Sequence, residues 1–251
     1  MASALLLLAA YGVWDLGEGE STSQDSRMKR AWSHFSLFCT AEGLSPSGIR
    51  SFSRSKLHCG TKTNPTFPFV GCKGSDTVLL LKFLSFVATM RLADAGPALS
   101  ERLSKLLLLV QMGARAGLSF TQGIYVHGIW LERSCVIHLR RALRDFTSAY
   151  SQLAFFSLAE GHTLFGMVPK LHALCHFKKD FEDSLKRGKA LAISPGVYDC
   201  AMGEDYIGKI AKLSRRVAYK RGHFERSILR VALVKAKSVL NKFCKDRGLK
   251  A

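Results

Sequence analysis

Residues 131–160, LERSCVIHLRRALRDFTSAYSQLAFFSLAE, run unbroken to Gly161 and read as one long helix that the glycine stops. Downstream, Pro169–Lys186 reads as the next helix, with Pro169 in the first turn, where its missing N–H costs nothing. Upstream, the chain predicts helices over Ser75–Asp94 and Pro97–Arg115. Ser75 or Asp76 are the N-cap candidates of the first, and Gly96-Pro97 is the break before the second. Residues 119–130 lean the other way. Phe120, Ile124, Tyr125, Val126, Ile129 and Trp130 suit a short strand or a buried crossing, too little to build a sheet on. The expectation is an all-α chain: an irregular multi-helix bundle with an N-terminal arm and a basic C-terminal helical pair.

The arm is residues 1–68. Its opening run, Ala2 to Ala10, resembles a signal-peptide core in length, but it has no positive n-region and is followed by Trp14-Asp15 rather than a small-residue cleavage site. At roughly ten to fourteen apolar residues it is too short to span a bilayer, so it reads as a buried helix. Residues 17–27 are small and polar and read as an exposed linker. In the helix that follows, Trp32, Phe35, Leu37, Phe38 and Cys39 crowd one broad side, and Gly43 gives the stop. Ser45 to Pro68, with Arg50, Arg54, Lys56 and Lys62 spread through Ser, Gly, Thr and Pro, reads as an extended basic loop. The main helical domain is then 69–251.

At 251 residues with 47% hydrophobic side chains, the chain can bury a real core. Its formal charge of +18 favours polyanions: DNA, RNA or acidic membrane surfaces. Seven cysteines, at 39, 59, 72, 135, 175, 200 and 244, form no C-x-x-C pair and read as reduced thiols, with Cys39 and Cys135 as core fillers. The expected setting is soluble and intracellular, the nucleus included.

Residues 206–251 hold fourteen Lys and Arg against Glu225 and Asp246, which is +12 of the +18. Within this tail Tyr206, Ile210, Leu213 and Val217 fall on one helical face. Lys209, Lys212, Arg216 and Lys220, with Arg215 among them, form a basic stripe beside it, along which a phosphate backbone could lie. In the next helix Phe224, Ile228, Val231 and Val239 mark an inner side, and Arg226, Arg230 and Lys237 gather on another. Any one of these cations could simply solvate a helix exterior. Together, with two acids to pair with, they repel one another unless an external anion relieves them. The anion is nucleic acid on the first reading, and an acidic protein or anionic membrane on the second.

Two further clusters carry polar chemistry. In Pro169-Lys170-Leu171-His172-Ala173-Leu174-Cys175-His176 the histidines are four apart and share a helical face, the spacing at which two imidazoles hold one metal. A complete site would need Cys200 or Glu204 to fold back, and hydrogen-bonded or core histidines explain the pair more simply. Glu204 and Asp205 precede the basic helix, where carboxylates suit the helix dipole. Adjacent carboxylates also hold Mg²⁺ in phosphoryl-transfer sites, given further acids, for which Asp94, Asp145 and Asp180 are the scattered candidates.

As a set, Met28-Lys-Arg-Ala-Trp-Ser-His-Phe35, Phe67-Pro-Phe69 with Cys72-Lys-Gly74, Pro169-Lys-Leu-His172 with His176, and Ser194-Pro195 with Met202-Gly-Glu-Asp-Tyr-Ile-Gly-Lys209 resemble a multicopy, mobile-element-like family of open reading frames in dinoflagellate genomes, over roughly residues 28–240. More distantly, the Pro-Lys-x-His segment ahead of an acidic cluster is similar to the C-terminal part of DDE transposases. That likeness makes Glu204 the last metal-binding carboxylate, although Gly203 stands where the pattern has an acid. The expected function is non-catalytic nucleic-acid binding of mobile-element origin with no cofactor. The alternatives are a nuclease or transposase remnant that uses Glu204, Asp205 and a divalent metal, and a helical interaction module.

Overall fold

A computed structural model describes residues 1–15, 17, 21–58, 67–72, 74–94, 99–166, 169–198 and 237. The chain divides into two compact units, Met1–Gly196 and Val197–Ala251. Of the second, only residues 197, 198 and 237 are among the described ones, so the basic C-terminal helical pair expected from the sequence lies outside them. Among the described residues the first unit is all-α apart from one two-stranded ribbon.

Helix α1 (Ala2–Ala10) is buried from Ala2 to Ala9. A helix that is apolar all round has no face to give to water, so it must sit inside a bundle. Its lone polar side chain there, Ser3, donates a 2.6 Å hydrogen bond to the Leu164 carbonyl. Gly12 then turns the chain with φ +69, a conformation that costs a glycine little.

Helix α2 (Gln24–Ala41) takes in the last four residues of the stretch expected to be linker, because Ser23 caps it: the Ser23 hydroxyl accepts from the Ser26 N–H at 3.2 Å. Met28, Ala31, Phe35 and Phe38 form its buried face, but Leu37, expected with them, is 68% exposed. Phe35 sits 5.3 Å from Phe52 and 5.2 Å from Phe83 between ring centroids, edge-on to the latter. These rings join the 49–57 loop and α3 (Gly74–Asp94) to α2 in one core.

Asp76 was a cap candidate for α3, and it lies in the first turn, only 1% exposed. Its carboxylate accepts from the Ser47 and Gly48 N–H groups, both at 2.7 Å, and from the Ser47 hydroxyl. It therefore pins the loop after α2 onto the start of α3, a tertiary bond rather than a cap.

Helix α4 (Glu101–Val126) runs eleven residues beyond the expected end at Arg115, so Phe120, Ile124, Tyr125 and Val126 are helical, not β. Its glycines explain how. A Cβ on Gly113 would stand 3.2 Å from Ala149, one on Gly117 3.2 Å from Leu81, and one on Gly123 2.4 Å from Leu139. Glycine at these positions gives up helix propensity and lets α3 and α5 (Arg133–Ala159) approach closely.

Trp130–Glu132 forms β1, which pairs antiparallel with β2 (Leu191–Ile193) in the register Trp130 with Ile193 and Glu132 with Leu191. Leu131 points inward, fully buried. With Phe120, Val136, Leu139, Leu143 and Phe181 it makes a second, smaller core under α6 (Pro169–Lys186). Glu160 and Gly161, with φ +76, end α5 as the sequence indicated. Cys39 is buried in the large core and Cys135 packs against the small one; both, with Cys175, are free thiols. No helix among the described residues is long and apolar enough to cross a membrane.

Candidate nucleic-acid interface

Of the basic positions singled out in the tail, Lys237 is described: it is helical and exposed. Lys209, Lys212, Arg215, Arg216, Lys220, Arg226 and Arg230 lie outside the described residues, as do Cys200, Glu204 and Asp205.

The histidines are in view. His172 and His176 stand one turn apart on the exposed side of α6, Nε2 to Nε2 at 2.9 Å, with ring planes at 89°. The helix places both nitrogens at one point, as the four-residue spacing requires. The two rings share a hydrogen bond, so one must offer a bare nitrogen to the other. Among the described residues no third His, Cys, Asp or Glu joins them to make a metal-ligating group of three or more.

A cationic groove that the sequence reading missed runs between α4 and α5. Gln111, Arg115 and Ser119 line it from α4, and His138, Arg141 and Asp145 from α5, around about 520 Å³. Arg115 donates to the Thr89 hydroxyl at 3.3 Å, and Gln111 donates to the same oxygen at 2.8 Å, so α3 steadies this wall. Ser119 Oγ and His138 Nε2 share a 2.8 Å hydrogen bond across the groove. Asp145 is engaged by its neighbour Arg144 at 3.1 Å, while Arg115 and Arg141 form no ion pair among the described residues.

Two guanidinium groups with a hydroxyl and an imidazole between them suit an oxyanion such as phosphate. A serine against a histidine also has the outline of a nucleophile and base, but among the described residues no carboxylate bonds the other ring nitrogen to orient it. The signal was legible in principle: His138, Arg141 and Asp145 fall at helical spacing in α5, whose one acid against four arginines is Asp145.

The third feature is apolar. A cavity of about 260 Å³ opens between α3, α4 and α5, with Leu81, Leu84, Val110, Ala114, Phe146 and Leu153 on its walls and, among the described residues, no Asp, Glu, Lys, Arg or His side chain. Three hydroxyls line it: Thr121 donates to the Gly117 carbonyl at 2.8 Å, Tyr150 donates to the Gly166 carbonyl at 2.6 Å, and Thr77 pairs with the Cys72 thiol at 3.7 Å. Burial holds the Tyr150 phenol above its ordinary pKa.

No protein-family model matches the chain, and neither a curated protein nor a solved structure shows significant similarity to it.

Proposed function

We propose that the chain binds nucleic acid through its phosphate backbone without acting on it, as an intracellular protein of mobile-element origin. The observation that carries the binding is the charge of residues 206–251, where fourteen cations face two acids. Such a segment has almost no internal ion pairing open to it, and condensed counterions on a nucleic acid are released when its cations replace them. The basic stripe Lys209, Lys212, Arg215, Arg216 and Lys220, followed by Arg226, Arg230 and Lys237, is the contact surface of this reading. Within the first unit, the groove of Arg115, His138 and Arg141 adds a smaller surface of the same preference. The mobile-element origin rests on the resemblance of the quoted motifs alone.

Binding of the full chain to a duplex, to a single-stranded RNA and to phosphatidylserine vesicles, each competed against the others, tests the assignment. The expected order puts nucleic acid ahead of vesicles at equal phosphate. Vesicles that strip the protein from both nucleic acids would transfer the tail to a membrane surface instead.

A further inference from the structure

We infer that the cavity between α3, α4 and α5 is a binding site for a small, uncharged, predominantly hydrocarbon ligand of about ten carbon atoms. The chemical class follows from the walls. Leu81 and Leu84 of α3, Val110 and Ala114 of α4, and Phe146 and Leu153 of α5 present only carbon, and no charged side chain among the described residues lines the space. Three hydroxyls and the Met1 amine are the polar groups of its lining residues: Thr121 and Tyr150 donate to the Gly117 and Gly166 carbonyls, Thr77 pairs with the Cys72 thiol at 3.7 Å, and burial pushes the pKa of the amine down to about 6, which favours its uncharged form. Water gains little from such walls, since a buried water needs two to four polar partners and an apolar cavity of about 150 Å³ stays dry and takes up benzene.

Size follows from the same comparison. The cavity, at about 260 Å³, is well beyond what one six-membered ring requires and falls short of the pockets of about 300 Å³ and more that hold drug-sized ligands. A fused pair of rings fits between those bounds. The space is also built rather than left over. Gly117 of α4 faces Leu81 so closely that a Cβ there would be 3.2 Å from that side chain, and a Cβ on Gly113 would be 3.2 Å from Ala149. The helices are thus drawn together at the glycines, and the gap persists beside Ala114, where a larger side chain would have filled it.

Naphthalene is the probe. Thermal unfolding of the full chain should move up by about 4 °C at a tenfold excess over Kd. Methyl resonances of Leu81, Leu84, Val110 and Leu153 should shift, and those of Leu37 and Leu191 should not. Ala114→Leu should raise the melting temperature unaided and abolish the response to naphthalene. Leu153→Ala, which enlarges the space, should keep that response from a lower starting temperature, so a failure of Ala114→Leu to fold does not protect the inference. No shift with saturating naphthalene in the wild type would overturn it, and so would an undiminished shift in folded Ala114→Leu or methyl changes confined to the surface.

Discussion

Arg27 grips Asp15 with two parallel hydrogen bonds, Nε to Oδ1 at 2.9 Å and Nη2 to Oδ2 at 2.6 Å, and spends its remaining nitrogen on the Ala9 and Ala10 carbonyls. One side chain thereby closes the C-terminal end of a helix that is apolar but for Ser3 and fixes the turn that follows it. Arg30 adds a bond to Asp15 at 2.8 Å and one to the Trp14 carbonyl, and Arg91 donates to the Val13 carbonyl.

Asp15 should therefore be acid-sensitive. The hydrogen bonds from Arg27 hold its carboxyl below the usual range, ahead of the opposing effect of burial. A group whose folded pKa is depressed contributes stability above its unfolded pKa, about 3.9, and loses it as pH falls through the folded value. Asp15→Asn should cost about 1–2 kcal/mol at neutral pH, since the site is partly solvated. It should also flatten the loss of stability on acidification below about pH 4. Urea unfolding of both proteins at several pH values reads this directly.

Asp76 should prove the costlier carboxylate to remove. Its buried oxygens accept from two backbone N–H groups at Ser47 and Gly48, and truncation would remove the bonds that hold that exposed loop to α3. Asp76→Ala is expected to lose about 2–4 kcal/mol, measured by denaturant unfolding, while Asp25→Ala in the first turn of α2 should lose well under 1 kcal/mol.

The glycines of α4 should rank by the room beside them. Alanine at 123 would bring a methyl to 2.4 Å from Leu139, which is fully buried and has nowhere to go. Gly123→Ala should destabilise by about 1–2 kcal/mol even after gaining about 1 kcal/mol in helix propensity. Gly113→Ala, where the new contact is 3.2 Å from the Ala149 methyl, should come out close to neutral. Parallel thermal melts of the two variants decide the ranking.

Much of the fold was legible because the marks were local. Pro169 and Lys186 bound α6 as expected, Gly161 stops α5, and the apolar run Ala2 to Ala10 is a buried helix. The errors came where partners distant in sequence decide. Residues 119–126 carry β-leaning side chains and two of the α4 glycines lie nearby, yet packing against α3 and α5 keeps them helical. Trp130 enters a strand only because Ile193, 63 residues later, pairs with it. Asp76 bonds back across nearly thirty residues to Ser47. In the candidate site, the pairing of His172 with His176 followed from helix geometry, whereas the groove needed Arg115 of α4 to meet Arg141 of α5.

The histidine pair supplies two donors, so it should hold Zn²⁺ weakly and without consequence for nucleic acid. Calorimetry should show binding that disappears in His176→Ala, with no nicking of supercoiled DNA in Mg²⁺ or Mn²⁺ by the wild type. Nicking that Glu204→Gln removes would instead establish the nuclease alternative.

The central claim is that residues 206–251 neutralise phosphates, and the salt dependence of duplex binding by the full chain tests it most directly. Log K against log salt should fall with a slope of about −4 or steeper, at about −0.9 per phosphate neutralised. Replacing Lys209, Lys212, Arg216 and Lys220 together by Gln should flatten that slope by about 3 to 4 and remove most of the affinity. A slope near zero in the wild type, or a quadruple variant with the wild-type slope and affinity, would contradict the account.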